Sequence, residues 1–493
     1  MHGAELILIL LVPLLSGILS FALRSQVWWE RVNLLASFVV AGLAALVGLD
    51  LVRSDRITAL GGFLQADALS ALVVCLTAFV ALVCTVYAIG YFRRDQFEGR
   101  ISQRQLHHYY VLTPLFVCAM LLVPLTDNLG VMWVAIESTT LASVLLVTFY
   151  NQRTSFEAGW KYIIIGSVGI SLALFGTVVT YSSAVDVLGS HASQGMSWSV
   201  LVKLADKFNP TAMRLAFVLV VLGYGTKAGL VPMHTWKPDA YAEAPVPAAT
   251  LLGAAFINCA IYSIMRFDVL AEKCLGHDFP RALLIGFGIC SILLAAPFVL
   301  VQRNYRRLLA YSSIDHAGIM VAALGFGGPL GALGAVLHML FHGVTKPLLF
   351  FSAGNVQQEF GSPYFRKVRG VIHTLPWTGT LFLLAAFAVT GTPPFSIFHS
   401  EFTALSAALA ADRGWAAGLF VLGVVTIFVG FLLHMSKMNL GAAQDTNPRA
   451  AECPWKLGAM LAVASVIVLF GFWMPAPVFA LIQKSADILG GAR

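Results

Sequence analysis

The chain has 493 residues, 58% of them hydrophobic and only 11% charged, where an ordinary soluble domain carries charge on roughly a quarter. Apolar runs long enough to cross about 30 Å of hydrocarbon recur along its whole length, which excludes a string of soluble domains. The short alternating segments of a β-barrel are missing. The net charge of +7 is spread over loops and does not point to nucleic acid.

In chain order the apolar runs predict an all-α polytopic membrane protein with about 14 transmembrane helices. The first seven fall at residues 4–24, 31–52, 67–92, 107–126, 128–150, 157–182 and 210–231. The other seven fall at 244–270, 280–302, 308–326, 329–353, 375–408, 414–435 and 457–482. Arg24 follows the first run rather than preceding it, so that run reads as a retained helix and not as a cleaved signal. The longest polar connection, Ser183 to Asn209, is too short for a soluble domain.

Helix seven carries GTKAGLVP, and helix twelve carries VTGTPPF at Val389 to Phe395. Gly and Pro there free backbone groups that survive at membrane depth only beside protein or a wet cavity. Two interrupted helices five apart point to two inverted five-helix repeats with broken helices 7 and 12, although Gly and Pro also occur in ordinary membrane helices. The expected division is 1–106 for helices 1–3, 107–270 for the first repeat, 280–435 for the second and 436–493 for helix 14. Connections after odd-numbered helices hold about 17 Lys or Arg against about 11 elsewhere, which places both termini outside the cytoplasm.

Ionisable residues sit deep in these helices. Helix five has Glu137, and helix seven has Lys227 with His234 in the polar turn after it. Helix ten has Asp315 and His316. Helix eleven has His338, His342 and Lys346 on one face, and helix twelve has His399 and Glu401 past its break. A lone buried His or Lys is explained well enough as a polar tie between helices. So many are costly unless paired with one another or with water. Burial disfavours each charged form and a close opposite charge restores it. A Glu137–Lys227 contact that opens and closes would therefore release and recapture a proton, and histidines nearby offer a relay. The spacing of His338 and His342 also suits a haem or metal pair, but no second such pattern accompanies it. The seven scattered cysteines form no CxxC. No cofactor is expected in this chain.

At these residues the sequence resembles a known family: the antiporter-like membrane subunits shared by respiratory complex I, the Mrp-type cation/proton antiporters and the membrane-bound hydrogenases. The likeness lies in Asn128–Val147, GTKAGLVPMHTWKPDAYAEAPVPAATLL (Gly225–Leu252), RRLLAYSSIDHAGIM (Arg306–Met320), HMLFHGVTKPLLFFSAGNV (His338–Val356) and GTPPFSIFHSEF (Gly391–Phe402). FEAGWKYIIIGSVGISLALFGT (Phe156–Thr177), the acid in YSSIDH and the Lys-Pro of GVTKPLLFF make it most like the F-type subunits of hydrogenase-4 and formate hydrogenlyase complexes. The chain stops soon after helix fourteen, so the long lateral helix of the largest complex I subunit of this kind is not expected.

The resemblance implies that Glu137 and Lys227 form an input pair, that Lys346 is the central lysine and that Glu401 is the terminal group. His338 and His342 fall at family histidines, while Asp315, His316, His399 and His234 stand as relay or support. Asn258 stands where the family often has a lysine on helix eight, and an amide cannot carry a proton, which leaves the middle of the relay in doubt. The implied function is proton translocation within an energy-converting redox complex in the inner membrane. Its partners would be other membrane subunits and, through them, a peripheral iron–sulfur, hydrogenase-like arm that carries the electrons. The alternatives are a subunit of an Mrp-type Na⁺/H⁺ antiporter and a scaffold that no longer transports.

Overall fold

A computed structural model of the chain describes residues 3–188, 195–442 and 450–490. Its first half runs α1 (Ala4–Ala22), α2 (Gln26–Arg53), a hairpin of β1 (Ile57–Ala59) and β2 (Leu64–Ala66), α3 (Ala68–Phe97), α4 (Gln103–Leu125), α5 (Leu129–Val147), α6 (Arg153–Leu188), α7 (Trp198–Leu204), α8 (Pro210–Ala228) and α9 (Trp236–Glu243). It continues with α10 (Val246–Thr250), α11 (Ile257–Leu275), α12 (Asp278–Val301), α13 (Tyr305–Phe326), α14 (Gly328–Phe360), α15 (Val371–Thr374), α16 (Pro376–Val389), α17 (Ser396–Ala410), α18 (Gly414–Leu440), α19 (Pro454–Phe472) and α20 (Ala476–Leu489). Among the described residues, thirteen helices are long and apolar enough to cross a bilayer, with α10 and α11 counted as one span. The shorter α16 and α17 supply a further, broken pass. The protein is an all-α, multi-pass integral membrane protein.

Local chemistry sets many of the helix starts. Asn128, Asn209 and Asn304 each accept two backbone N–H groups in the first turns of α5, α8 and α13, which satisfies donors that a helix start leaves orphaned. Ser102 and Gln105 close a capping box on α4. Between helices the contacts use small residues. A Cβ on Gly176 of α6 would lie 2.8 Å from a Val220 methyl of α8, and one on Gly288 of α12 would lie 2.6 Å from the Ala322 nitrogen of α13. Such close approach is how helices associate where no solvent drives them together. The span Val246–Leu275 is wholly buried, α13 and α14 nearly so, and α1, α2 and α19 turn most of their surface outward.

Both expected interruptions exist. α8 and α9 together run against α6: the Asn209 N–H donates to Ser183 O at one end, and Thr154 bonds Glu243 at the other. In the same way α16 and α17 run against α14, tied by Asn355 to Thr378 and by His338 to Ser400.

Three expectations need correction. Helix six extends to Leu188, because Ser183, Ala184 and Leu188 continue its buried face. The segment after helix seven is not a polar turn throughout, since Trp236–Glu243 is helical and its Trp236, Lys237, Ala240 and Tyr241 are buried. Helix fourteen is broken at Trp473–Pro475 into α19 and α20. Pro475 has no N–H to continue the ladder. The break lies beside that of the twelfth pass, for a Cβ on Gly471 would sit 2.8 Å from Pro394 O.

Candidate functional site

Lys227 occupies the last turn of α8. The helix stops one residue later because Gly229 is left-handed, with φ at 78°. Its N–H and that of Leu230 fold back onto Thr226 O and Gly225 O, a glycine cap that a β-carbon would strain. The Lys227 side chain is fully buried. Its Nζ donates to Thr140 Oγ1 at 2.5 Å and lies 3.7 Å from Glu137 Oε2. Thr140 in turn donates to that carboxylate at 3.3 Å. Helix α6 makes room through Gly166, whose Cβ would lie 3.1 Å from the ammonium. Glu137 is 27% exposed while Lys227 is not exposed at all, so the acid borders the outer face of the bundle.

The second cluster is buried except at Glu401, which is partly exposed. Lys346 donates to Leu309 O at 3.1 Å and to Ser312 Oγ at 3.0 Å, and it forms no salt bridge among the described residues. One helical turn and two turns before it stand His342 and His338. His338 bonds His316 on α13 and Ser400 on α17, each at 2.9 Å. The rings of His316 and His342 are 5.0 Å apart. Asp315 lies within electrostatic reach of both Lys346 and Glu401. Glu401 fills the space over Gly391, where a Cβ would overlap its carboxylate. Neither nitrogen of His342, nor Asp315 Oδ1, has a protein hydrogen-bond partner. Buried polar atoms of this kind are the ones that hold water.

Glu137, Lys227, Asp315, His316, His338, His342, Lys346 and Glu401 thus fall into two clusters, the first two residues on α5 and α8 and the others on α13, α14 and α17. His234 is buried in the link between α8 and α9, with Nδ1 unpartnered. His399 is the exception. Successive residues on a helix point about 100° apart, so Ser400 faces inward to His338 while His399 is exposed against Phe398. Its side chain points away from the string.

Asn258, whose amide nitrogen lies against Gly343 of α14, follows a π-helical turn at Leu251–Phe256. Such turns often mark working parts of a helix. Its Nδ2 donates to Ala254 O at 2.7 Å and its Oδ1 has no partner. One further residue was not singled out from sequence. Lys237, on α9, is completely buried and donates to Ala228 O at 2.6 Å and Ser313 O at 3.3 Å. The usable signal was a lysine in an otherwise apolar helix face, hidden because that stretch read as a turn.

Comparison with known proteins decides the family. The family model described as NADH:quinone oxidoreductase/Mrp antiporter, TM, matches residues 126–427, from the start of α5 into α18. The chain belongs to this family. It is 34% identical over 431 residues to the hydrogenase-4 component F homolog of Methylacidiphilum infernorum, covering 87% of this chain and 89% of that one. Among solved structures, a chain of the membrane-bound sulfane sulfur reductase, an archaeal respiratory membrane complex, superposes with a TM-score of 0.87 at 22% identity, over 99% of this chain and 97% of that one. A chain of the Mrp complex from Dietzia sp. DQ12-45-1b gives 0.85 at 19% identity, over 99% and 98%. The fold of those two chains is therefore shared over 99% of this one, and both clusters lie inside the region that the family model matches.

Proposed function

We propose that this chain is the proton-translocating subunit of an energy-converting membrane redox complex of the hydrogenase-4, formate hydrogenlyase and complex I type. One observation carries the reading: between two partly exposed acids, Glu137 and Glu401, buried ionisable side chains on α8, α13 and α14 gather inside the bundle. Buried charge at membrane depth is kept where it moves ions, and a scaffold would have no use for it. The hydrogenase-4 relative supports the redox complex over free-standing Na⁺/H⁺ antiport, which the likeness to an Mrp chain keeps as the second reading.

In this reading Thr140 relays between Lys227 and Glu137, and the pair works as a gate. When Glu137 is drawn away, Lys227 is left buried among neutral groups and gives up its proton toward Lys346; when Glu137 returns, Lys227 binds another. The proton leaves through Asp315 and Glu401. The parallel between α8–α9 on α6 and α16–α17 on α14 supports two inverted repeats, at 107–270 and 280–435. A partly exposed carboxylate cannot face lipid cheaply, so a neighbouring membrane subunit covers Glu137 and is the element that moves it. Electrons pass through a peripheral iron–sulfur arm on other chains. The basic loops support an inner-membrane setting with both termini outside.

The test is Lys227→Ala in the assembled complex, with redox-driven proton uptake measured in inverted membrane vesicles from the native host. Uptake should fall by about a hundredfold, the scale of a lost positioned proton-transfer group, while the amount of complex stays constant. Normal uptake with normal assembly removes Lys227 from the mechanism.

A further inference from the structure

The gap between the two clusters is filled by a lysine that the string from Glu137 to Glu401 does not include. Lys237 Nζ donates to Ala228 O, the carbonyl next to Lys227, and to Ser313 O on α13. Ser312, the neighbour of Ser313, holds Lys346 through its hydroxyl. Lys237 therefore touches the residue next to Lys227 and the residue next to the serine that holds Lys346. It also stands over the Tyr241 ring at 5.6 Å, as Lys227 stands over Tyr162 at 5.7 Å. Those two tyrosines flank Trp236, with ring centroids 6.2 and 4.6 Å away. The left-handed Gly229 that ends α8 also makes its berth, for a Cβ there would lie 2.6 Å from Lys237 Cδ.

This side chain is wholly buried and forms no salt bridge among the described residues. A lysine needed only to cap the α8 carbonyls could do so from the surface, where its charge stays hydrated. Within electrostatic reach are His234 from the link before α9, His316 from α13, and His342 and Lys346 from α14, with the Tyr241 ring on its own helix beneath it. No carboxylate is among them. Asn258 of α11, beside Gly343 of α14, is an amide and does not take up and pass on a proton near neutral pH.

We propose that Lys237 is the proton carrier that joins Lys227 to Lys346. The step rests on the translocation reading above and balances simply. The Lys227 ammonium gives a proton to neutral Lys237, and the Lys237 ammonium gives one to neutral Lys346. Each transfer breaks one N–H bond and forms another, directly or through one bridging water, and no electron is moved.

The test uses Lys237→Met and Lys237→His in the assembled complex, beside Lys227→Ala, with proton uptake by inverted vesicles followed across pH. Lys237→Met should lower uptake about a hundredfold with the complex intact. Lys237→His should retain uptake but shift its alkaline limb to lower pH, because imidazole holds its proton less tightly than an amine. A capping role would leave the shape of the pH profile unmoved. If Lys237→Met does not assemble, the Lys237→His profile decides, and an unshifted profile overturns the proposal. Wild-type uptake in Lys237→Met, with Lys227→Ala inactive, sinks Lys237 alone. Wild-type uptake in both sinks the translocation reading as well.

Discussion

Lys227 and Lys346 are both fully buried lysines on membrane-spanning helices, yet they are held by different means. Lys227 has a carboxylate 3.7 Å away, and that carboxylate reaches the outer face of the bundle. Lys346 has a carbonyl and a hydroxyl, with histidines along its own helix and nothing exposed around it. The first arrangement can be altered from outside, because whatever packs on α5 meets Glu137. The second responds only to what arrives through the protein. Sensitivity and sealing are thus divided between the two lysines of one fold, which is what a device that couples an external event to internal ion movement requires.

The sharpest way to break this contrast is to remove one acid from each half. Glu137→Gln leaves Lys227 with only Thr140, and an ion pair broken on one side costs about 3–5 kcal/mol when fully buried. Because Glu137 is partly exposed, about 2–3 kcal/mol is expected, read as a fall in the melting temperature of the assembled complex. Asp315→Asn removes no salt bridge and should change stability by less than about 1 kcal/mol, while still lowering proton uptake. Equal melting temperatures for the two variants would mean that the close pair is not the feature distinguishing the halves.

A finer probe takes the hydroxyl from each lysine. Thr140 accepts from Lys227 at 2.5 Å and also donates to Glu137, whereas Ser312 only accepts from Lys346, which keeps a second acceptor in Leu309 O. Hydrogen bonds to charged groups contribute about 1.5–3 kcal/mol. Thr140→Val should fall in that range, and Ser312→Ala should fall nearer 1 kcal/mol. Chemical denaturation of the purified complex, following tryptophan emission, would rank them. The reverse order would show that Thr140 does not relay between acid and base.

Most of the passes were legible because hydropathy is a property of composition over some twenty residues, and position within the bundle hardly alters it. The breaks at Gly229–Pro232 and Gly391–Pro394 were legible because Gly and Pro state their backbone needs locally. The third break was missed: the run through Trp473 and Met474 stays apolar, which masks Gly471, Pro475 and Pro477 around it. The Glu137–Lys227 juxtaposition was inferred from the cost of solitary charge. Lys237 was passed over because its neighbours Thr235, Pro238 and Asp239 look like a turn, and burial of a short helix is a tertiary fact. The outward turn of His399 was equally invisible, since a motif gives the spacing of residues but not the face that the bundle covers.

That last residue gives the smallest expected effect and a useful control. His399 and Ser400 are adjacent in GTPPFSIFHSEF, yet only Ser400 meets the His338–His316 chain. His399→Ala should leave stability within about 0.5 kcal/mol, the range for surface changes, and leave proton uptake at the wild-type rate in the same vesicles. His338→Ala opens the chain at its centre and should lower uptake. If the two alanine variants lost uptake equally, the path would have to run over the outer face of α17 instead of through the bundle. The buried character of the second half around Lys346, on which its contrast with the first depends, would then be lost.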